Sequence, residues 1–147
     1  MAPLEIRPAT RADLASLLAL QADDALSLHA PGPDSAPYER ALDDILADPR
    51  TVIYVASRAG AVVGTFQSTL LRHLTGKVAH IEAVRVTSGE RGHGTGTAMM
   101  RFAIEDARAK GCAKVSLTSQ KRRVDAHRFY ERLGFVASHV GMKLDLP

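Results

Sequence analysis

Arg91-Gly92-His93-Gly94-Thr95-Gly96-Thr97 is the stretch on which the reading of this chain turns. Its three glycines stand at alternate positions. Before it, Val78 to Val86 is apolar and β-branched like a strand; after it, Ala98 to Lys110 has the spacing of a helix. Glycine lets a backbone approach a ligand closely, because no Cβ stands in the way. The start of a helix adds unpaired N–H groups and the positive end of the peptide dipole. Strand, glycine-rich turn and helix start together make a site for a phosphate or pyrophosphate.

Three phosphate-loop patterns can be compared with it. The dinucleotide pattern G-x-G-x-x-G fails, since the third position is Thr97 counted from Gly92 and Met99 counted from Gly94. The acidic residue that this pattern wants about 20 residues on is missing from Val115-Ser116-Leu117-Thr118-Ser119. The ATPase loop needs a lysine, and this loop has none. The pattern Arg/Gln-x-x-Gly-x-Gly/Ala is met by Arg91, Gly94 and Gly96. A second block, Ala126-His127-Arg128-Phe129-Tyr130-Glu131-Arg132-Leu133-Gly134-Phe135, fits A-x-x-F-Y-x-x-x-G-F and follows after one further strand. With these two blocks in this order, and with the entry Ile6-Arg7-Pro8-Ala9-Thr10 into a first helix, the chain resembles the GNAT superfamily of N-acetyltransferases. The resemblance covers nearly the whole chain and is most specific from Ala79 to Phe135.

Composition is consistent with that. The chain's 147 residues make a single domain over 1–147, and 46% hydrophobic content supplies a core. No apolar run approaches the roughly 18–20 residues that span a bilayer. Met1-Ala2-Pro3-Leu4-Glu5 does not read as a signal sequence. Cys112 is the one cysteine, which excludes an internal disulfide and suits the cytoplasm. A net charge of +3 suits an anionic cofactor.

Outward from the loop, the elements follow in order. Leu4 to Pro8 reads as a strand. Thr10 is an N-cap with Asp13 three residues on, a carboxylate variant of the capping box, and Leu14, Leu17 and Leu18 are the buried stripe of the first helix. Ala30-Pro31-Gly32-Pro33-Asp34 is a loop, and a second helix runs from Ala36 to Ala47 until Asp48-Pro49 stops it. Thr51 to Ser57 and Val62 to Leu71 form a hairpin about Arg58-Ala59-Gly60. The helix after the loop buries Met99, Met100, Ala103 and Ala107 and is capped by Gly111. Lys114 to Ser119 is a strand. Ala126, Phe129, Tyr130 and Leu133 then share one helix face, which Gly134 ends. Phe135 to Ser138 and Met142 to Leu146 read as a closing pair of strands. This order is α+β. The resemblance implies a GNAT-like fold: a mixed, mostly antiparallel sheet splayed between strands four and five, flanked by four helices. It also implies that the cofactor lies in the gap.

Acetyl transfer from a thioester to an amine needs a held cofactor, a neutral amine, a donor for the developing oxyanion and a proton for the departing thiolate. The resemblance implies acetyl-CoA as donor substrate, with no metal. Its pyrophosphate would meet the backbone of Gly92, His93, Gly94, Thr95 and Gly96, the hydroxyl of Thr97 and the cation Arg91. Its pantetheine arm would run along Val84, Arg85 and Val86. Ser119 stands where many relatives carry an asparagine and could bond the cofactor's amide. Lys121-Arg122-Arg123 could meet the 3′-phosphate or simply be solvated. Tyr130 matches the family's tyrosine near the cofactor sulfur. A phenol of reference pKa about 10 is protonated at neutral pH and can supply the thiolate's proton. His127, a turn earlier, is a weaker candidate. Glu82 is the base by this reading. A glutamate among Ile81, Ala83, Val84 and Val86 is unfavourable unless solvated or paired, and partial burial would tune it for the task. Pairing with His80 or Arg85 is the structural alternative; His80 is the other candidate base, and a bulge in strand four would disturb which residues share its face.

The expectation is therefore an N-acetyltransferase moving acetyl directly from acetyl-CoA to a primary amine. The rival is a non-catalytic acyl-CoA-binding or sensing domain of the same fold. The partner is a small-molecule or peptide amine; few aromatic platforms and nearly balanced charge speak against nucleic acid. Membrane association is not expected, and a homodimer stays open. Residues 23–48 set the acceptor in the family. There Asp23, Asp24, Asp43 and Asp44 could draw a cationic amine or be solvated helix faces. The six scattered histidines, His29 among them, offer no ligand pair.

Overall fold

The computed structural model describes residues 1–24 and 31–147; His29, Ala30 and part of the acceptor-setting segment lie outside the described residues. The elements are β1 (Leu4–Pro8), α1 (Leu14–Asp23), α2 (Ala36–Ala47), β2 (Thr51–Arg58), β3 (Ala61–His73), β4 (Gly76–Val86), α3 (Thr95–Ala109), β5 (Lys114–Leu117) and α4 (Val124–Arg132). The chain divides into two units, Met1–Leu117 and Thr118–Pro147. The first holds the sheet, in the order β1-β2-β3-β4-β5, with three helices. β1 to β4 are antiparallel neighbours, and β5 runs parallel to β4.

Local chemistry explains the joints. Thr10 and Asp13 form the expected capping box: the Thr10 N–H donates to the Asp13 carboxylate at 2.8 Å. The Arg7 guanidinium grips the same carboxylate through both oxygens, at 2.8 and 2.9 Å, and so fixes the end of β1 to the start of α1. That fork holds the buried Asp13 carboxyl below the usual carboxylate range. β2 and β3 are joined by Ala59 and Gly60, both at positive φ (51° and 80°), the left-handed pair that a tight hairpin turn requires. α3 ends as expected at Gly111, where the Cys112 N–H reaches back to the Ala107 carbonyl and the Gly111 N–H to that of Arg108, both at 3.0 Å.

Strand alternation divides the core of the first unit. On one face of the sheet, Tyr54 stacks on its cross-strand partner Phe66 with ring centres 5.0 Å apart, and Phe102 of α3 meets Tyr54 edge-on at 5.1 Å. Met99, Met100, Ala103 and Ala107 of α3 are buried, as their spacing predicts. On the other face, Ile53, Thr65 and Gln67 turn towards α1 and α2. Here the expected stripe is corrected. Leu20 is the buried leucine of α1, whereas Leu14, Leu17 and Leu18 are half-buried and line a cavity.

The splay between strands four and five is present. β5 pairs with β4 only over residues 78–81. From Glu82 onward that edge of β4 faces no strand among the described residues. The closing pair of strands is not: no strand forms over 135–138 or 142–146, and β5 is the last. The Ser138 N–H bonds to the Val136 carbonyl at 2.9 Å, a tight turn that takes this stretch out of any ladder. Strand-like alternation alone gives residues 142–146 no edge to pair with. Among the described residues no helix is long and apolar enough to cross a membrane.

Gly64 shows how closely α3 sits on the sheet. A Cβ there would lie 2.5 Å from the Met99 sulfur and 3.2 Å from the Arg85 carbonyl. Gly64→Val should therefore cost about 1–3 kcal/mol by overpacking, read from denaturant unfolding. Met99→Ala in the same background should recover part of it, giving a coupling in the double-mutant cycle. Additive losses would mean that α3 does not bear on Gly64.

Candidate active site

The glycine-rich loop is built to leave N–H groups unused. Gly92 and Gly94 stand at φ 81° and 78°, and a side chain at either would be strained there. Gly94 is the N-cap of α3, whose first backbone bond runs from the Ala98 N–H to the Gly94 carbonyl at 3.0 Å. The N–H groups of Gly92, Gly94, Thr95, Gly96 and Thr97 consequently have no hydrogen-bond partner among the described residues. His93 is a correction: its N–H is taken by the Glu90 carbonyl at 3.2 Å and is not on offer. Arg91 is exposed at the rim.

A polar clamp holds the loop, and local spacing gave no sign of it. Arg58, at the end of β2, donates through Nε to Glu90 at 3.2 Å, and Thr95 donates its hydroxyl to the same carboxylate at 2.7 Å. Arg58 also reaches the Ala2 carbonyl. The Arg58 and Glu90 side chains are only 14% and 16% exposed, and Thr95 is buried. The Thr95 hydroxyl, and behind it the Arg58 guanidinium, hold the Glu90 carboxyl below its usual range. Asp23 at the end of α1 accepts from the Ser88 N–H at 2.9 Å and fastens the turn that precedes the loop. Arg58 and Glu90 are 32 residues apart, so only the fold brings them together.

β4 carries a bulge. Gln67 pairs with Glu82 and Thr65 with Arg85, so β4 spends one residue more than β3 between these pairs. Ala83 takes up the excess at φ 52°. The parity of the strand changes there. His80 and Glu82 share a face before the bulge, and Arg85 joins that face after it, opposite the buried Ala79 and Ile81. The Arg85 side chain turns into the cavity and pairs with Asp24 at 3.4 Å. The cavity, of about 450 Å³, is walled by Leu14, Leu17 and Leu18 of α1, Leu42 and Ile45 of α2, and the sheet. Among the described residues that line it, Arg85 is the one cation. Val84 lies in the bulge, and Val86 pairs with Gly64.

Where β4 and β5 part, Ser116, His80 and Glu82 form a chain. The Ser116 hydroxyl lies 2.9 Å from His80 Nδ1, and His80 Nε2 lies 3.3 Å from Glu82 Oε1. The Glu82 side chain is 51% exposed, so the burial expected for it is absent; His80 is its partner, while Arg85 pairs with Asp24. Of the other acids, Asp43 pairs with Arg11 at 3.2 Å and Asp44 is exposed.

The second unit carries Ser119, Tyr130 and the basic run. Ser119 lies two residues beyond the end of β5. Tyr130 is on α4 and packs against Phe129 and Phe135, with ring centres at 5.2 and 5.8 Å. Burial pushes its phenol pKa up, and Arg123 pulls the other way. Within its own unit the hydroxyl has no hydrogen-bond partner. His127 donates through Nε2 to the Gln120 carbonyl at 2.9 Å, a structural bond at the entry to α4. Lys121 and Arg122 are exposed, and Arg123 caps α4.

This arrangement can be set beside known proteins. A family model described as the acetyltransferase (GNAT) family matches residues 15–135. Over 99 residues the chain is 37% identical to a glucosamine 6-phosphate N-acetyltransferase of Trypanosoma brucei brucei, covering 65% of each protein. Over 96 residues it is 34% identical to an aminoalkylphosphonate N-acetyltransferase of Salmonella typhimurium, covering 64% of this chain and 62% of that one. The chain thus spans a little under two thirds of the length of these curated relatives. The crystal structure of a transcriptional regulator from Bacillus halodurans C-125 superposes with a TM-score of 0.92 at 39% identity, covering 98% of this chain and all of that one.

The clamp has a pH signature. A carboxyl whose folded pKa is lowered contributes stability above its unfolded value, about 4.3 for glutamate, and loses it as the pH falls through the folded value. Glu90→Gln should lower Tm at pH 7, and the gap to wild type should close as the pH is taken below about 4. Melts across that range test it; a constant gap would assign the loss to packing instead of charge.

Proposed function

Since this chain belongs to the acetyltransferase (GNAT) family, we propose that it moves an acetyl group directly from acetyl-CoA to the primary amine of a small acceptor. The observation that carries the reading is the row of unpaired N–H groups opening α3 behind two left-handed glycines, next to the unpaired edge of β4. A pyrophosphate suits those N–H groups and the helix dipole. The edge of β4 from Glu82 onward offers N–H and C=O groups to an amide-bearing arm as a neighbouring strand would.

In this reading the acceptor arrives as an ammonium and gives its proton, directly or through water, to the His80–Glu82 pair. His80 is steadied by Ser116, and a proton taken up on the imidazole would be stabilised by the Glu82 carboxylate. The amine nitrogen then bonds to the acetyl carbon, the carbon–sulfur bond breaks, Tyr130 supplies the proton that the departing thiolate takes, and the second proton that the nitrogen sheds on becoming an amide passes through water to restore the phenol. Burial keeps the phenol protonated at neutral pH, so the proton is there to give.

The curated relatives are named for glucosamine 6-phosphate and aminoalkylphosphonate, compounds that each join an amine to an acidic phosphorus group. The cavity beside the bulge supports an acceptor of that kind: aliphatic walls for a carbon skeleton, and Arg85 for the acidic end.

CoA release with a panel of amino-sugar phosphates, aminophosphonates, amino acids, aminoglycosides and N-terminal peptides tests the proposal. Turnover is expected, with phosphate- or phosphonate-bearing amines above their neutral counterparts in kcat/KM. Tight acetyl-CoA binding without turnover on any amine would make this an acyl-CoA-binding or sensing domain. A separate measurement isolates Tyr130. Tyr130→Phe keeps the ring between Phe129 and Phe135 and should lower kcat roughly 10²–10⁴-fold while CoA affinity changes little. A kcat within about twofold of wild type, with chemistry rate-limiting, would return Tyr130 to the core.

A further inference from the structure

Two aspartates close α1, and a different residue holds each. Asp23, the last helical residue, accepts from the Ser88 N–H at 2.9 Å and lies 3.3 Å from the Ser88 hydroxyl. Asp24, the C-cap, pairs with the Arg85 guanidinium at 3.4 Å. Acids at this end of a helix oppose its dipole, and the last turn of α1 has no basic residue to offset them. The helix itself gives no reason for Asp24 to stand there. Its pairing with Arg85 is shielded from water: the two side chains are only 11% and 18% exposed, so salt screens the pair little.

Arg85 is also the one cation among the described residues that line the cavity. Asp24 thus sits on the group that an anion entering the cavity would seek. We propose that Asp24 is an internal competitor for the acidic end of the acceptor: it pairs with Arg85 until a stronger anion enters and takes the guanidinium over. This inference rests on the reading that the cavity receives an acceptor with an acidic group.

The consequence is selection by threshold. An acid that takes Arg85 must displace Asp24 first, so the affinity of every acid is lowered by the same factor. A carboxylate exchanges like for like and gains little, since its own dehydration adds to the loss. A phosphate carries a charge of about −1.5 to −2 at neutral pH, and its attraction for the guanidinium is up to roughly twice that of a carboxylate. It therefore passes a threshold that stops a single carboxylate. A neutral acceptor makes no demand on Arg85 and is not affected. The exchange needs no large motion. Asp23 keeps the end of α1 on Ser88, Arg85 is fixed in the ladder opposite Thr65, and Asp24 stands in extended backbone just past the helix, where side-chain rotation is enough.

The test uses three primary amines with the same two-carbon linker, ending in phosphate, carboxylate or hydroxyl. Their binding to the full chain is measured by calorimetry in the presence of CoA. Wild type should bind the phosphate-ended amine well above the other two, which should not differ much from each other. Asp24→Asn and Asp24→Ser remove the competing charge. Relative to the hydroxyl-ended amine, both should bind both acids at least about tenfold tighter, the gain expected where the pair is formed about nine-tenths of the time. Asp24→Glu keeps the charge and should keep the wild-type order. Asp23→Asn removes a neighbouring charge and leaves the pair in place; it should move the ratio less than about threefold, as for a charge exposed to water. Circular dichroism shows which variants keep the fold. Acid binding that is unchanged or weaker in a folded neutral variant overturns the proposal, and so does a gain of equal size in Asp23→Asn. Failure of the underlying reading looks different: Arg85→Gln would then bind the phosphate-ended amine as wild type does, and the competitor falls with it.

Discussion

The extra residue in β4 at Ala83 is the constraint on which the rest of the candidate site depends. A strand presents alternate residues to alternate faces. Without the bulge Arg85 would point with Ala79 and Ile81 towards α3, into a face already filled by Met99 and Met100. A guanidinium there would be buried without a partner. The bulge turns it to the other face, where Asp24 and the cavity receive it. It also falls just beyond residue 81, where β5 stops pairing. The strand is therefore irregular where it loses its neighbour, and its edge is left open there among the described residues. An alanine at positive φ is a local cost, of order 1–3 kcal/mol, that the flanking ladder with β3 must offset.

The loop shows a second use of constraint. Unsatisfied N–H groups can bind an anion only if the backbone that carries them does not collapse onto its own carbonyls. Two left-handed glycines keep the chain from continuing as a helix before Gly94. The Arg58–Glu90–Thr95 clamp fixes the turn from behind. Because that clamp is mostly shielded from water, its charges are screened less by salt than an exposed pair would be. The cation at the rim, Arg91, is exposed, and its attraction for an anion is the more salt-sensitive of the two.

Much of this could be read in the sequence, and the reason is local. The capping box at Thr10 and Asp13, the turn at Ala59 and Gly60, the buried face of α3 and its Gly111 cap each depend on residues within a few positions of one another. The glycine-rich loop before α3 is legible for the same reason, since its open N–H groups belong to a backbone placed by glycines. What spacing could not give were contacts made across the fold. The Arg58 clamp spans 32 residues, and the Ser88 anchor on Asp23 spans 65. The direction of Arg85 depended on one inserted residue, which a period-2 reading passes over.

The last segment separates pattern from partner. Residues 142–146 alternate as a strand should, and the alternation predicts one half of a closing pair. The pattern is a statement about one chain segment and its faces. A strand is a relation between two segments, and the ladder contributes only when a second edge supplies its bonds. Within 135–138 the backbone bonds to itself at Val136 and Ser138, which removes the partner the pattern had been assigned. The apolar face then keeps its need for cover while the identity of the cover passes out of the local sequence.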